Sequence, residues 1–457
     1  MDEQVFVYKQ APDYSALHET RDAAAEFLFA QLDSQIKPGY KVILKPNFVK
    51  ESHLYKPDEW EYVITHTEVI RLVLERVIKN LKNQGEICII DAPQTDSDWD
   101  AIMQHVRLPK LVDELQKTTN VKISYFDLRE ERWFYKQGII VKRKKLPGDP
   151  KGYVKVNLGE NSEFFGKRNK DYYGADYDMN ETKRYHNDKD NVYVISRTIL
   201  ECDVFINLPK LKTHKLTGIT ACLKNLVGTC VIKNSIPHHT IGAPETGGDK
   251  FEHETRKNDR ESALKGLALK LLKTKNPLIN YPFILVKKIA GLFLGSPQSD
   301  VVRNGSWHGN DTIWRATLDL NKILLYADKA GKMQNTPQRK YFALIDGIIG
   351  GEAKGPMEPD PKKSGVLIAG ANPVYVDAVA ATLMGFDYRK IPTIEKAYSA
   401  KTYPLTFINS EGIEIVSNNK GWEKLIGAFT YTDTMQFKPH FGWLGNIELL
   451  HNINENE

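Results

Sequence analysis

The stretch 203–228, DVFINLPKLKTHKLTGITACLKNLVG, decides how the rest of this sequence is interpreted. It opens with a continuous apolar run at 204–206, which is typical of a strand buried in a parallel sheet. In the extended segment that follows, residues two apart point the same way, so Lys210, Lys212 and His214 are predicted to share one face. Apolar residues at helical spacing then predict a helix over 216–227.

Cations, amides and hydroxyl groups therefore gather where a strand gives way to a helix. In α/β sheets, ligands bind just beyond the carboxyl ends of the strands. A solvated basic loop is the alternative, but such a loop more often mixes lysine with glutamate. Here the lysines, which include Lys224, are accompanied by Asn207, His214 and Asn225. We interpret the stretch as one wall of a binding site.

The length and the amino-acid composition are those of a large globular protein. Its 457 residues suffice for two or three domains, and 41% hydrophobic content with 10% aromatic residues allows sizeable cores. The formal net charge of +5 is small for this length, and no nucleic-acid-binding signature is present. We expect a small anionic ligand and no nucleic-acid partner.

Cysteine usage and the N-terminus favour the cytoplasm. The four cysteines lack the two-residue spacing of zinc or iron–sulfur sites. The opening residues, MDEQVFVYKQ, carry no secretory signal pattern. No run reaches the roughly 18 apolar residues of a membrane span. A cytoplasmic location is predicted, at the membrane periphery if the basic helices described below meet lipid.

Toward the N-terminus, residues 1–130 alternate between strand and helix patterns. This order predicts an α/β half with a parallel sheet and right-handed crossovers. Lys45 and Asn47 follow the strand at 42–44, and Asp91 ends the strand at 86–90. Thr65 or Thr67 is predicted to cap the helix between them.

The fold class predicted for the whole chain is α/β: two Rossmann-like halves with mostly parallel sheets, a loop-rich β insertion and a helical insertion. The predicted units are 1–130, the N-terminal half; 131–190, the loop-rich β insertion; 191–233, the central strand and helix with the basic motif; 234–310, a polar loop and amphipathic helical insertion; 311–420, the C-terminal half; and 421–457, the tail.

The helical insertion combines a lysine-rich periphery with an apolar stripe over 261–295. Basic amphipathic helices of this kind lie on anionic membranes, cover a neighbouring domain or form a contact between copies of a chain. Peripheral membrane contact and homo-oligomer contact both stay open as predictions for this segment.

Polar groups also punctuate the C-terminal half. Asp311 is predicted to cap a helix, and Arg315 one turn further on suits a carboxylate or phosphate, or else a structural salt bridge. Asp346 and Glu352 follow the strand at 341–345. Asp377 sits on an otherwise apolar helix, where a buried acid requires a partner, either a lysine or a metal.

Three separated blocks carry a family resemblance: VILKPNF at 42–48, INLPKLKTHKLTGITACLKNLVG at 206–228, and LIDGIIGGEAKGPMEPD with GVLIAGANPVYVDAVAATLMG within 344–385. Together they resemble the bacterial and archaeal family called domain of unknown function 362, DUF362. Many similar proteins add ferredoxin-like cysteine clusters, which implies redox work for them. This sequence cannot build such a cluster, so no iron–sulfur cofactor is expected.

Mapped onto this chain, the family-like polar positions define a predicted cleft between the two halves. The predicted catalytic residues are His214, Lys212 and Lys224, because histidine titrates near neutrality and clustered amines lose protons readily. The predicted substrate-binding residues are Lys45, Asn47, Asn207, Lys210, Asn225 and Arg315. The acids Asp91, Asp346, Glu352 and Asp377 are predicted either to pair with the lysines or to hold Mg²⁺.

The predicted function is an enzyme of unassigned reaction class that acts on a small phosphorylated or carboxylated substrate, carbohydrate or lipid-linked forms included. A non-catalytic ligand-binding or assembly protein and a redox protein with a soluble cofactor are the alternatives. No Walker loop, GxSxG elbow, HExxH helix or dinucleotide GxGxxG occurs in a fitting context.

Overall fold

The computed structural model describes residues 4–136, 139–176, 178–255, 302, 304–400 and 402–449. The segment 261–295, for which membrane or oligomer contact was predicted, lies outside the described residues. Within the described part, no helix combines the length and the apolar composition needed to cross a bilayer.

The strands fall into one large sheet and three small ribbons. They are β1 (Gln4–Lys9), β2 (Lys41–Pro46), β3 (Glu86–Asp91), β4 (Lys122–Asp127), β5 (Glu131–Lys136), β6 (Ile139–Lys145), β7 (Tyr153–Asn157), β8 (Tyr172–Gly174), β9 (Val192–Ser196), β10 (Val204–Leu208), β11 (Lys210–His214), β12 (Gly218–Thr220), β13 (Pro237–Thr240), β14 (Lys340–Lys354), β15 (Glu358–Gly370) and β16 (Glu414–Ser417).

The helices connect and cover these strands. They are α1 (Tyr14–Leu28), α2 (Ala30–Gln35), α3 (Thr67–Leu81), α4 (Trp99–Val106), α5 (Leu108–Gln116), α6 (Met179–Tyr185), α7 (Arg197–Leu200), α8 (Cys222–Asn225), α9 (Ile313–Tyr326), α10 (Pro373–Met384) and α11 (Pro392–Glu395).

The large sheet runs in the order β16-β1-β15-β14-β10-β2-β3-β4, with β11 paired to β14 and β12 paired to β11. Most of its neighbours are parallel, and the antiparallel exceptions are β1–β15, β14–β15 and β11–β12. The predicted α/β class with mostly parallel strands is confirmed. A single sheet draws its strands from three of the predicted units, 1–130, 191–233 and 311–420, so the two halves share it.

Helices cover both faces of this sheet, as the alternation of side chains along each strand requires. On β2, Val42 and Leu44 pack into the core beneath α1, α3, α4 and α5, while Ile43 points into the opposite core beneath α9 and α10. The result is a three-layer arrangement that leaves the carboxyl ends of β2, β3 and β10 as an edge between the layers.

Helix ends illustrate what local sequence signals achieve. Asn372 caps α10 as its pattern indicates, accepting hydrogen bonds from the amides of Val374 and Tyr375. The predicted threonine cap of α3 is wrong, because His66 holds that position and its Nδ1 accepts the amide of Glu68. The predicted Asp311 cap of α9 is also wrong, because Thr312 precedes that helix.

In the stretch 203–228, extended backbone continues into residues for which the apolar spacing predicts a helix. After β10 the chain forms the β11–β12 hairpin, and only the four residues of α8 are α-helical. The predicted helix over 216–227 is therefore wrong. Leu216, Ile219 and Leu223 are all buried, and when a segment is buried on every side its apolar spacing no longer reports a helical face.

Candidate functional site

A cavity of about 770 Å³ opens at the carboxyl ends of β2 and β3, next to β11 and α8. Parallel sheets place ligands at this edge. Seven of the predicted site residues line the cavity: Lys45, Asn47, Asp91, Lys212, His214, Lys224 and Asn225. The predicted convergence of separate sequence blocks thus holds for these residues.

Lys45 and Asp91 form a buried ion pair on the cavity floor. Lys45 Nζ lies 2.7 Å from Asp91 Oδ1, and their side chains are 1% and 3% exposed. Burial lowers the pKa of Lys45, and the charge of Asp91 opposes that shift. Gly228 makes room for the pair, because a Cβ there would lie 2.1 Å from Asp91 Oδ1. Both charges are therefore satisfied within the protein.

Three asparagines link this pair to the next lysine. Asn225 Oδ1 accepts hydrogen bonds from Lys45 Nζ (3.2 Å) and from Asn47 Nδ2 (2.8 Å). Asn225 Nδ2 donates to Asn207 Oδ1 at 2.7 Å. Asn47 Oδ1 is then left to accept from Lys212 Nζ at 3.1 Å. Because each amide is oriented by its neighbour, the chain of amides fixes where the amine of Lys212 points.

Lys212 has a buried amine that no carboxylate of the described residues engages. Its amine donates to Asn47 Oδ1 and, at 2.5 Å, to the carbonyl of Val63. Burial lowers the pKa of Lys212 well below its ordinary value, and the charges of Lys210 and Lys224 lower it further. A buried cation without a counterion is costly to the fold. An anion bound in the cavity would offset that cost.

Lys224 lies at the carboxyl end of α8 and lines the same cavity. Burial lowers its pKa to about 7, and the charges of Lys233 and Lys45 contribute. Within the described part of the chain, its amine makes no hydrogen bond and no ion pair. Near neutral pH this amine is divided between its charged form and its neutral, nucleophilic form.

His214 is held as a hydrogen-bond donor toward the cavity. Its Nδ1 accepts the amide N–H of Leu216 at 3.0 Å, which places the proton of the neutral ring on Nε2. Burial lowers its pKa well below the ordinary value, and Lys224, Lys215 and Lys212 lower it further. The ring is therefore neutral at physiological pH and presents Nε2–H.

His238 has the opposite tautomer. Its Nδ1 lies 2.8 Å from the carbonyl oxygen of Ile236, so Nδ1 carries the proton and Nε2 has a free lone pair. Burial lowers the pKa of His238 to about 3, and the charge of Lys224 is the next cause. One cavity thus holds a neutral histidine that donates, a neutral histidine that accepts, and an amine that titrates near pH 7.

Sequence reasoning left several cavity residues out of the predicted site. Lys233 donates to the carbonyls of Ala92 (2.7 Å) and Cys230 (3.3 Å), and burial lowers its pKa to about 8. Lys233 and His238 lie just beyond the family-like block, on a segment positioned by the pairing of β13 with β8. The polar composition after residue 233 was visible, but this long-range pairing was not.

Lys210 and Asp346 do not line the cavity. Lys210 Nζ lies 2.5 Å from Asp346 Oδ2 and 2.8 Å from the hydroxyl of Tyr14, and both charged side chains are fully buried. The strand register shifts between Lys210 and Lys212. A bulge turns successive side chains away from a common face, so the predicted shared face of Lys210, Lys212 and His214 is wrong.

The four predicted metal ligands are held by separate partners. Asp91 and Asp346 pair with lysines, Glu352 Oε2 accepts the amide of Lys438 (3.0 Å), and Asp377 accepts the amides of Cys222 (2.6 Å) and Leu223 (2.9 Å). Among the described residues no cluster of histidine, cysteine or carboxylate side chains is arranged to hold a metal. The described structure does not gather these acids into such a cluster, and the ion-pair alternative applies to three of them, since Glu352 Oε2 also lies 3.5 Å from Lys362 Nζ.

Asp377 instead anchors the helix that carries Lys224. Its two hydrogen bonds end on the first two residues of α8, where helical amides lack internal partners. Burial raises the pKa of Asp377 to about 7. The expected lysine or metal partner is therefore replaced by backbone amides.

Two predicted substrate-binding residues serve the structure around the cavity. Arg315 pairs with Asp311 at 2.9 Å and donates to the carbonyl of Glu163, as the salt-bridge alternative predicts. Asn207 is fully buried, donates to the carbonyl of Cys222 at 2.8 Å and orients Asn225. Neither side chain lines the cavity.

The tip of the β14–β15 hairpin forms the opposite rim, which residues 354–358 line together with His440 and Phe441. The tip rests on β11, since Lys215 N donates to Gly355 O at 3.1 Å. A Cβ at Gly355 would lie 1.9 Å from the carbonyl oxygen of Thr213, so only glycine permits this approach. The predicted C-terminal tail therefore supplies part of the site.

The fold and the cavity define an α/β protein with a cation-lined site at the carboxyl edge of its sheet. The sequence profile described as domain of unknown function (DUF362) matches residues 150–382, about half of the chain. The chain belongs to this family.

The solved structures that match this chain are distant. One is a Thermotoga maritima protein from a structural genomics consortium, with 9% identity, a TM-score of 0.30 and coverage of 78% of this chain and 55% of that chain. Another is the lactate racemase apoprotein from Thermoanaerobacterium thermosaccharolyticum, with 10% identity, a TM-score of 0.32 and coverage of 80% and 54%. This chain thus spans about half the length of either. No curated protein matches the sequence.

Proposed function

We propose that this chain is an enzyme that binds a small anionic substrate in the cavity and acts on it by proton transfer. The observation that carries the proposal is the set of proton states at one site. His214 offers a proton at Nε2, His238 offers a lone pair at Nε2, and Lys224 titrates near neutral pH.

Charge supports an anionic substrate. Lys212 and Lys224 line the cavity without a carboxylate partner in the described part of the chain, while Lys45 is already neutralised by Asp91. Cations that lower one another's pKa are relieved when an anion arrives. A carboxylate and a phosphate would both meet this requirement, and the cavity volume of about 770 Å³ would hold a small metabolite of either kind.

The tautomers support catalysis beyond mere binding. An ordinary anion site needs donors only, and His214, Lys212 and Lys224 provide them. His238 presents a lone pair to the same space, which an anion does not need. A group that accepts a proton beside groups that donate one is the arrangement that general acid–base chemistry requires. Such groups contribute roughly 10²–10⁴-fold to a rate.

Hydrogen–deuterium exchange tests the proposal without knowledge of the product. The full chain is incubated in D₂O with a panel of small carboxylates and phosphates, and NMR follows loss of carbon-bound protons next to the anionic or carbonyl group. We expect catalysed exchange for one chemical class. Binding without exchange or turnover for every compound would favour the non-catalytic alternative, and absence of binding would refute the anionic site.

One variant at Lys212 and a control variant at Lys215 separate binding from folding. Lys212→Met removes the cation and keeps the aliphatic length, so it should lose anion binding while keeping or raising the melting temperature. Lys215→Met is a matched control, because Lys215 lines the same cavity but is exposed and does not join the hydrogen-bonded asparagines that orient Lys212. Loss of binding in both variants to the same extent would show a diffuse charge effect in place of a built site.

A further inference from the structure

We infer that Lys224 is a covalent nucleophile, which forms a Schiff base with the carbonyl carbon of a small anionic aldehyde or ketone bound in the cavity. This inference rests on the proposed function and deepens it, because it names the chemical class of the substrate. It also assigns Lys224 a role that a general acid or base does not have.

The geometry separates Lys224 from the other lysines of the cavity. Lys45 is held by Asp91, Lys212 by Asn47 and Val63, and Lys233 by two carbonyl oxygens. Lys215 and Lys354 are exposed at the rim. Among the half-buried and buried lysines lining the cavity, Lys224 alone has an amine that no group of the described residues engages.

The position of Lys224 is nevertheless well defined. Its backbone belongs to α8, whose first two amides are fixed by Asp377 and whose neighbouring residue Asn225 is tied into the amide chain. A rigid backbone with a free side-chain end is what a nucleophilic amine needs, since the side chain must reach a carbonyl carbon without breaking other bonds.

Several charged groups act on this amine, and most are positive. Lys233 and Lys45 lower its pKa, and Lys212 is a third neighbouring cation. Four acids line the same cavity: Asp91, which Lys45 engages, and Asp96, Asp176 and Glu358. His214 and His238, which face the same space, are neutral. A cationic surrounding favours the neutral amine, and the neutral amine is the form that attacks a carbonyl.

The two histidines suit the steps of imine formation. The neutral amine attacks the carbonyl carbon, and the carbonyl oxygen, as it gains negative charge, accepts a hydrogen bond from His214 Nε2–H. His238 Nε2 takes one proton from the nitrogen of the adduct and passes it to the oxygen, giving a carbinolamine. The second proton of the nitrogen moves to the hydroxyl group by the same route, the carbon–oxygen bond breaks as water leaves, and carbon and nitrogen form the double bond. One water is released, and no oxidant or reductant takes part.

Lys212 supplies the second feature that defines the substrate class, a contact for an anionic group. Its amine is oriented by Asn47 and lies on β11 beside the same cavity, so it can hold an anionic group while Lys224 engages the carbonyl. Both 2-oxo acids and ketone phosphates combine an anionic group with a nearby carbonyl. They share the chemistry that the site selects, and only the anionic group distinguishes them.

Reductive trapping tests the inference directly. The full chain is incubated with pyruvate in one arm and dihydroxyacetone phosphate in the other, each with sodium cyanoborohydride, and the mass of the intact chain is measured. We expect one adduct per chain in at least one arm, located by peptide mapping at Lys224. The yield should rise through about pH 7, following the lowered pKa of this amine, whereas ordinary lysines require more alkaline conditions.

Matched variants make the result decisive. Lys224→Arg keeps the positive charge but cannot form an imine, so its adduct should be lost. Lys215→Arg alters an exposed lysine of the same cavity and should keep the adduct at Lys224. An adduct that persists in Lys224→Arg, or that spreads over exposed lysines alone, overturns the inference.

The failure of this inference differs from failure of the proposed function. If pyruvate or dihydroxyacetone phosphate binds and undergoes deuterium exchange but cannot be trapped, the Schiff base is refuted and proton transfer stands. If neither probe binds nor is trapped, while other anions bind and exchange, the carbonyl class is refuted. If no anion of the panel binds, both proposals fail.

Discussion

Replacing Gly228 with alanine should break the buried ion pair between Lys45 and Asp91. A Cβ at this position would lie 2.1 Å from Asp91 Oδ1 and 2.6 Å from Lys45 Nζ, distances at which one partner must move. The backbone of Gly228 does not have a positive φ, so alanine adds a steric conflict without conformational strain. The substitution therefore perturbs the pair, and the hydrogen bonds that hold it, through a steric conflict alone.

Neither partner can move without losing other bonds. The two carboxylate oxygens of Asp91 accept the amides of Phe48 (2.7 Å) and Ala92 (2.8 Å). Lys45 Nζ donates to the carbonyl of Pro46 at 2.8 Å. Separating a buried, hydrogen-bonded ion pair costs about 3–5 kcal/mol. We expect the free energy of unfolding to fall by about that amount.

Urea unfolding followed by tryptophan fluorescence measures the change. Gly427→Ala is the matched control, because Gly427 is exposed and a Cβ there meets no atom within 4 Å. Its unfolding free energy should stay within about 0.5 kcal/mol of the parent. If Gly228→Ala lost less than about 1 kcal/mol, a threshold well below the ion-pair range, the pair would be more mobile than its contacts indicate and the reasoning would be refuted.

Substitutions at three other residues test the site. His214→Asn keeps an acceptor for the amide of Leu216 but loses Nε2–H, so catalysed deuterium exchange should drop about 10²–10⁴-fold at an unchanged melting temperature. His214→Gln places an amide donor nearer the position of Nε2 and should retain more of the exchange activity. Equal losses in the two variants would argue against a donor role for His214. Lys224→Met removes an amine whose pKa falls from 10.5 to about 7 on folding. Below pH 7 the folded chain carries the full energetic cost of the buried charge, and this cost disappears as the pH rises toward 10.5. Thermal denaturation should therefore show that Lys224→Met is more stable than the parent, most strongly below pH 7 and less so in alkali. A stability gain that does not depend on pH would contradict this. Lys210→Met leaves Asp346 buried without its cation, so the free energy of unfolding in urea should fall by about 3–5 kcal/mol. Because Lys210 lies outside the cavity, the folded fraction should still bind anions. Loss of anion binding would show that Lys210 belongs to the site.

Local sequence pattern predicted much of the sheet. The continuous apolar runs at β2, β3 and β10 mark buried parallel strands, and the polar residues at their carboxyl ends, among them Lys45, Asn47 and Asp91, do line one cavity. Residues placed by a strand's end are predictable because the geometry of parallel sheets brings those ends to one edge.

The errors arose where distant contacts decide the outcome. A register shift on β11 sends Lys210 to Asp346 instead of the cavity. Asp377 found backbone amides, which no composition argument distinguishes from a lysine or metal partner. His238 reaches the cavity because its strand pairs with β8, more than sixty residues earlier. Spacing along the chain carries no record of such pairings.

The hairpin β14–β15 begins in the middle of the large sheet and ends at the rim of the cavity. Its inner part packs in the core, whereas residues 354–358 at its tip line the cavity. This separation makes the tip a natural place for specificity to diverge between family members. Exchanging these few residues could reshape what the cavity admits while the proton-transfer groups on β11, α8 and β13 stay in place. Chimeras that graft tips between relatives would be a short route to new substrate ranges.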